Sequence, residues 1–222
     1  TQARVALGRA GAAVPTAAML DFQLDHARAR DAVHADLKAE GFGEAIGRPV
    51  ITVRSQAAER ATYLRRPDLG RMLSAHDAVE LEALGVGPDR ADLAILVGDG
   101  LSATAVHAHA ASLVRALLDR LSDWRVAPIL LAHHARVALG DEAGQRLRAD
   151  LALVLIGERP GLSAPDSLGA YLTWRPEPGR RDSERNCVSN IRPPHGLSYA
   201  VAADPIVRLL RAAPEPRVGG VA

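Results

Sequence analysis

The second half of the chain alternates short apolar runs with longer helical patterns. Three near-continuous apolar runs are typical of strands covered on both faces: Leu93–Val97, Val126–Ala132 and Leu151–Ile156. Helical patterns lie between and after them, at Ser102–Asp123, Asp141–Ala149 and Leu197–Ala212, and a weaker strand pattern lies at Ala170–Trp174. This alternation predicts an α/β fold, a Rossmann-like parallel sheet with helices on both faces.

The first half of the chain has a mainly helical pattern. One long helix is expected over Pro15–Glu40, because proline suits the first helical turn and glycines follow Glu40. Alternating apolar residues predict a strand over Pro49–Gln56, whereas Pro and Gly predict a loop over Tyr63–Arg71. Ser74, with Asp77 three residues later, resembles a capping box and predicts the start of a short helix.

A segment rich in Gly, Pro and charge, GVGPDRAD at residues 85–92, is typical of a boundary between the two halves. We therefore predict an N-terminal helical region over residues 1–88 and a Rossmann-like domain over residues 89–214. The last segment, residues 215–222, is expected to be disordered.

Composition narrows the class of protein. Apolar residues make up 48% of the chain and aromatic residues only 3%, so the core must consist mainly of Ala, Leu, Val and Ile. A formal net charge of +1 gives no reason to expect nucleic acid or an anionic membrane as a partner. The single cysteine fits a reducing cytoplasm, and no apolar run reaches the roughly 18 residues of a membrane span.

The loop after the apolar run Leu93–Val97 matches one version of the dinucleotide-binding fingerprint, with G-x-G-x-x-A at Gly98–Ala103. A dinucleotide site also needs an acidic residue at the tip of the next strand, but that strand ends in Leu131–His134. Asp99, inside the loop, would repel a phosphate. We therefore interpret the segment as a tight turn with Ser102 as the helix N-cap, and keep an independent Rossmann-type nucleotide-binding enzyme as the alternative function.

Three further segments follow strands and are expected to meet at one edge of the sheet: residues 133–140, 157–162 and 180–197, the last interpreted as a loop. Each has a purely structural alternative: Glu158 as a cap or a partner of Arg159, His133 and His134 as surface residues, Cys187 as a small buried filler. His107 and His109 are weak metal candidates because residues two apart on a helix do not share a face. We predict neither a catalytic residue nor a metal site.

Six motifs, in order, give the chain a specific resemblance. They are GRAGAAVPT, DHARARDAV, YLRRPDLGR, DGLSATAV, IGERPGL and RNCVSNIRP. Together they resemble the light chain of ethanolamine ammonia-lyase, from about Arg4 to the last predicted helix. The resemblance implies a Rossmann-like domain preceded by a helical part, in an enzyme that depends on adenosylcobalamin and converts ethanolamine to acetaldehyde and ammonia.

The resemblance also implies a partner and a cofactor site. A large β/α-barrel subunit would hold the substrate, and adenosylcobalamin would lie between the two chains, in a hexamer of large–small pairs that is often associated with bacterial microcompartments in the cytoplasm. Cofactor contacts would fall on Val137, Glu158 and Cys187. Besides a cofactor-binding subunit and a nucleotide-binding enzyme, a third hypothesis is a plain scaffold whose loops only bind a partner chain.

No histidine has an Asp two residues before it, so the D-x-H-x-x-G motif that would supply a histidine ligand to cobalt is absent. We therefore expect cobalt to keep the cofactor's own nucleotide base.

Overall fold

A computed structural model describes residues 7–85 and 90–213. Six strands lie within them: β1 Val50–Arg54, β2 Ala91–Gly98, β3 Ile129–His133, β4 Ala149–Gly157, β5 Leu168–Trp174 and β6 Arg185–Ile191. They form one sheet in the order β1-β3-β2-β4-β5-β6. The first four strands run parallel, and β5 and β6 run antiparallel to their neighbours.

The helices are α1 Thr16–His34, α2 Phe42–Ile46, α3 Arg60–Arg65, α4 Ala75–Leu84, α5 Ala103–Ala105, α6 Ala111–Arg120, α7 Leu139–Arg146 and α8 Tyr199–Ala212. A π-helical turn, Val106–Ala110, joins α5 to α6. Ser74 caps α4 by accepting a hydrogen bond from the backbone N–H of Asp77, as the sequence predicts.

The core lies on both faces of the sheet because successive strand residues point to opposite sides. In β2, Leu93, Ile95 and Val97 pack into the cluster that contains α6 and α8. The intervening Ala94 and Leu96 pack with α4 and α7. The predicted α/β fold with helices on both faces is confirmed.

The expectation of a loop at residues 180–197 is wrong, because the segment contains β6. Among the strands of the described residues this one pairs with β5 alone, at the edge of the sheet, and several of its side chains are exposed. The apolar run that marks a central strand is therefore missing from its sequence. The two added antiparallel strands make the sheet mixed.

Three other expectations for local structure also need correction. The segment Tyr63–Arg71 is not a loop, since it holds the end of α3 and a 3₁₀ turn at Leu69–Arg71. Helix α1 ends at His34, Ala35 is extended, and Leu37 packs into the core. The helix predicted over Ser102–Asp123 is divided by the π turn.

The N-terminal region contributes more than helices. Strand β1 pairs along its whole length with β3, so residues before the predicted boundary belong to the sheet. Helix α1 buries only Ala32 and exposes four large apolar side chains: Met19, Leu20, Phe22 and Leu24. The predicted boundary at residues 88 and 89, and the tail over 215–222, lie outside the described residues.

The strand order brings several loops to one edge of the sheet. The chain leaves β2 for β3 on one side and then returns to β4 on the other side. The carboxyl ends of these three strands meet at this edge, where open α/β sheets bind their ligands. The antiparallel register adds the start of β5 and the end of β6, since Leu168 pairs with both Gly157 and Ile191. In the described part of the chain no helix is long and apolar enough to cross a membrane.

Candidate functional site

The loop after β2 is a packed structural turn. Gly100 has φ +54°, and a Cβ added there would lie 2.2 Å from the carbonyl oxygen of Gly157. The backbone N–H of Leu101 donates to that same oxygen at 3.0 Å, and the N–H of Ser102 donates to the carbonyl of Asp99. A phosphate cradle needs such N–H groups to be free, so the loop is poorly suited to one.

Ser102 is the N-cap of α5, as predicted, and stabilises this turn. Its hydroxyl oxygen accepts a hydrogen bond from the backbone N–H of Ala105 at 3.2 Å, and its hydroxyl group donates to the carbonyl of Pro165 at 2.8 Å. The second bond reaches the segment between β4 and β5. Ser102 therefore joins the turn after β2 to the segment that follows Glu158.

Asp99 joins the turn after β2 to the loop after β3. Its side chain is buried, and its two oxygens accept backbone hydrogen bonds from His134 and Ala135, both at 2.9 Å. Nη1 of Arg60 lies 3.3 Å from Oδ2. These donors oppose the effect of burial, which raises the pKa of Asp99. The Asp99 carboxylate therefore holds the backbone of the loop that leads to Val137.

Val137 lies between β3 and α7, beside two clefts in the protein surface. One cleft, of about 310 Å³, is lined by Cys187, and the other, of about 440 Å³, is lined by Glu158. We call them the Cys187 cleft and the Glu158 cleft. Arg136, Val137 and Tyr171 line both, so the two clefts adjoin. All three residues implied by the resemblance therefore lie on one continuous surface.

Glu158 follows β4 and is held by two neighbouring segments. Its Oε2 accepts hydrogen bonds from the hydroxyl of Ser167 and from the backbone N–H of Asn190, the latter at 3.2 Å. A Cβ added to Gly169 would lie 2.9 Å from Oε1, so the absence of a side chain there makes room for the carboxylate. Neither the cap nor the ion pair with Arg159 is present among the described residues, where Oε1 accepts no hydrogen bond.

Cys187 lies on β6, directly opposite Tyr171 on β5. It is exposed, so the interpretation as a buried filler is wrong. Desolvation by neighbouring atoms raises the pKa of the Cys187 thiol, and its hydrogen bond with Tyr171 opposes this effect. Burial also raises the pKa of Tyr171. Both groups are therefore uncharged at neutral pH, and the thiol presents a small neutral surface.

The floor between the clefts contains residues that sequence reasoning missed. Tyr63 is fully buried, and its hydroxyl donates to the carbonyl of Ala135 at 3.0 Å. The guanidinium carbon of Arg136 lies 4.4 Å from the centre of the Tyr63 ring. Nε of Arg136 is buried and has no hydrogen-bond partner in the described structure. An unsatisfied buried donor costs about 1–3 kcal/mol, and Nη2 of Arg60 is in the same condition.

Three of the histidines named from the sequence, His107, His109 and His134, have structural partners. The backbone N–H of Lys38 donates to Nε2 of His107 at 3.0 Å. Nδ1 of His109 lies 3.0 Å from the hydroxyl of Tyr199, and Nδ1 of His134 lies 2.8 Å from the carbonyl of Ala57. Across residues 7–85 and 90–213, no group of three or more His, Cys, Asp or Glu side chains is arranged to hold a metal ion.

Comparison with known proteins agrees with the six motifs. The family model for the ethanolamine ammonia-lyase light chain (EutC) matches residues 1–222. A protein of Bradyrhizobium diazoefficiens named ethanolamine ammonia-lyase small subunit is 57% identical over the whole of this chain and 86% of its own length. Proteins with the same name from Rhodopseudomonas palustris and Azotobacter vinelandii are 55% and 50% identical over all of this chain, which covers 86% and 84% of their lengths. The chain belongs to the ethanolamine ammonia-lyase light chain family.

Proposed function

We propose that this chain is the small subunit of an adenosylcobalamin-dependent ethanolamine ammonia-lyase and forms part of the cobalamin site where it meets the large subunit. One observation carries the proposal. Val137, Glu158 and Cys187, which are distant in the sequence, line two adjoining clefts, one at the carboxyl end of β4 and the other along β5 and β6. They are the three residues that the family resemblance implies.

The residues present fit the chemistry of the cofactor. Cobalamin offers an apolar corrin face and a rim of amide side chains, and binding sites match such ligands with apolar walls and a few placed polar groups. Oε1 of Glu158 has no hydrogen bond within the described residues and is able to accept one from an amide N–H. Val137 supplies apolar contact, and the neutral Cys187 occupies little space. Arg136, which lines both clefts, has a buried Nε without a hydrogen-bond partner in the described structure.

The role of this chain is to bind and position. When bound, adenosylcobalamin supplies radical chemistry to the conversion of ethanolamine. Glu158 accepts hydrogen bonds, held in place by Ser167 and Asn190, while Val137 and Cys187 shape the wall around the ligand. We assign no catalytic residue to this chain, and we expect cobalt to keep the cofactor's own base. An electron paramagnetic resonance signal from a protein histidine nitrogen on cobalt would contradict that expectation.

The partner is the large subunit, and we propose that the pairs form a hexamer. The exposed apolar residues of α1, Met19, Leu20, Phe22 and Leu24, support a contact with a neighbouring chain. Arg28 and Arg30 belong either to that contact or to a solvated face; they lie 3.7 Å from Asp25 and 3.6 Å from Asp31, respectively. Loss of assembly after both arginines are replaced would favour the contact. Location in the cytoplasm and in a microcompartment stays a prediction.

Ammonia release from ethanolamine, measured with this chain, the large subunit and adenosylcobalamin, is the direct test. We expect activity only when all three are present. Glu158→Ala should weaken cobalamin binding to the assembled complex, whereas Glu80→Ala, an exposed glutamate of α4 outside both clefts, should not. Unchanged cobalamin affinity after replacement of all three contact residues would favour a plain scaffold. Binding of NAD by the chain would instead favour the nucleotide-binding alternative.

A further inference from the structure

Three arginines around the two clefts have no carboxylate partner. Arg71 lines the Cys187 cleft, Arg159 lines the Glu158 cleft, and Arg136 lines both. None of them forms an ion pair with another residue of the described structure, in contrast to Arg185 in the same wall, which pairs with Asp141. The clefts therefore hold three arginines without an ion pair among the described residues, against one such carboxylate, Glu158, whose hydrogen bonds come from uncharged groups.

Arg136 is held by two neighbouring residues, Tyr63 and Gly70. Its guanidinium stacks on the ring of Tyr63, and its backbone N–H donates to the carbonyl of Gly70 at 2.8 Å. A Cβ added to Gly70 would lie 3.0 Å from Cγ of Arg136, so the side chain runs closely past the glycine. A guanidinium held in this way loses little conformational freedom when it binds an anion.

The charges around Arg136 leave it available. Arg60 lies on the same Tyr63 ring, at 4.9 Å, but is paired with Asp99. Of the carboxylates that line the clefts, Asp182 lies 3.3 Å from Nε of Arg185, and Oε2 of Glu158 is bonded to Ser167 and Asn190. Neither carboxylate forms an ion pair with Arg136 in the described structure.

We propose that Arg136, with Arg71 and Arg159 at the rim, binds the phosphodiester of the nucleotide loop of cobalamin. The inference rests on the proposed function, because it takes cobalamin as the ligand of these clefts. The phosphodiester is the one anionic group among the peripheral groups of the cofactor, whose other side chains are neutral amides. The surface thus separates two kinds of recognition: Glu158 accepts from amides, and Arg136 donates to phosphate through charge-assisted hydrogen bonds.

Cobinamide provides a direct test because it retains the corrin but lacks the nucleotide loop and its phosphodiester. The affinities of cyanocobalamin and dicyanocobinamide are measured by calorimetry on the purified complex of both subunits. The variants are Arg136→Gln and Arg136→Lys, with Arg115→Gln as the control, since Arg115 is exposed on α6 outside both clefts.

We expect Arg136→Gln to weaken cyanocobalamin about tenfold or more and to change dicyanocobinamide by less than about twofold, because only the first ligand carries the phosphodiester. Arg136→Lys should fall between wild type and Arg136→Gln, and Arg115→Gln should match wild type. Equal weakening of both ligands, or no weakening of either, would overturn the inference. Failure of the wild-type complex to bind cyanocobalamin would instead overturn the proposed function.

Two further outcomes are decisive. If Arg136→Gln folds but no longer assembles with the large subunit, the anion belongs to a carboxylate of that subunit, and the inference is overturned. If the variant does not fold, the double variant Arg71→Gln with Arg159→Gln is measured in its place. The same selective loss of cyanocobalamin affinity would support a phosphodiester site, and equal weakening of both ligands, or no weakening of either, would overturn it.

Discussion

Arg185 and Asp141 form a buried two-pronged ion pair that joins β6 to α7. Nη1 lies 2.6 Å from Oδ1 and Nη2 lies 2.7 Å from Oδ2, with the two side chains 2% and 1% exposed. Nη1 also donates to the hydroxyl of Thr173 at 2.7 Å. The pair thus connects the strand that carries Cys187 to the helix that begins just after Val137.

Asp141→Ala should lower the free energy of unfolding by about 3–5 kcal/mol, because it leaves the Arg185 charge buried without its partner. Burial itself raises the pKa of Asp141, so the intact pair need contribute little net stability. Replacing both residues by apolar ones, Arg185→Met with Asp141→Leu, should therefore recover much of the loss. Urea unfolding of the purified chain measures both effects.

The control for that experiment is the exposed pair Arg211–Asp123, which is also two-pronged, at 3.0 and 2.8 Å. Asp123→Ala should leave the unfolding curve close to that of wild type, since solvent screens the exposed charges. An equal loss of stability for Asp123→Ala and Asp141→Ala would contradict the role of burial.

Alkaline pH should destabilise the chain through Tyr63. Burial raises the pKa of Tyr63 from 10.0 to about 12. Because the folded-state pKa lies above the unfolded value, its contribution is complete below pH 10 and is lost as the pH rises through about 12. A shift of two units corresponds to about 2.7 kcal/mol.

Tyr63→Phe isolates this effect. The variant should lose some stability at neutral pH with the hydrogen bond to Ala135, yet its stability should fall less steeply between pH 10 and 12. Denaturant midpoints over this pH range provide the measurement, with Tyr199→Phe as the matched control. Parallel curves for wild type and Tyr63→Phe would refute the assignment.

Two glycines should separate ligand binding from stability. A Cβ at Gly169 would meet the Glu158 carboxylate at 2.9 Å and the Tyr171 ring at 3.0 Å, both side chains, so Gly169→Ala should shift the carboxylate and weaken cobalamin binding, with a smaller loss of stability than a clash with backbone would cause. A Cβ at Gly157 would lie 2.0 Å from the backbone oxygen of Ser102, where no side chain is able to yield. Gly157→Ala should therefore destabilise the fold by about 1–3 kcal/mol or more. Thermal unfolding and calorimetric titration of both variants measure the difference, and the opposite ranking would contradict it.

Asp99 should matter for stability and not for nucleotide binding. Asp99→Ala removes the acceptor for His134 and Ala135 and leaves Arg60 without its carboxylate, so we expect a loss of about 3–5 kcal/mol. Asp99→Asn keeps the shape and should lose less. Titration with NAD should give no binding to wild type or to Asp99→Asn. Nucleotide binding that improves when the charge is removed would restore the fingerprint interpretation of Gly98–Ala103.

The central strands are predictable from sequence because burial on both faces leaves a continuous apolar run, as in Leu93–Val97 and Leu151–Ile156. The N-cap at Ser102 is also predictable, because its signal lies in the few residues around it. Strand β6 is not predictable in this way, because it is an edge strand and lacks a continuous apolar run. Its Arg185 would be expected at the surface from sequence alone, since the burial depends on the ion pair with the distant Asp141.

The candidate site is predictable only in part. The edge of the sheet follows from strand order, and the resemblance supplies Val137, Glu158 and Cys187. The stack of Arg136 on Tyr63 joins segments more than seventy residues apart, and the pairing of Tyr171 with Cys187 depends on the register of two antiparallel strands. No local pattern encodes either contact.

The two clefts are assembled from five separate stretches of chain, around residues 63–71, 100–101, 136–138, 156–171 and 182–187. No one stretch contains enough of the wall to hold a ligand, and long-range pairing of this kind forms late and cooperatively. A newly made chain therefore presents this surface only once β6 has been added to the sheet. A partner or ligand that recognises this surface therefore binds the folded chain and not the partly folded one, so assembly depends on complete folding.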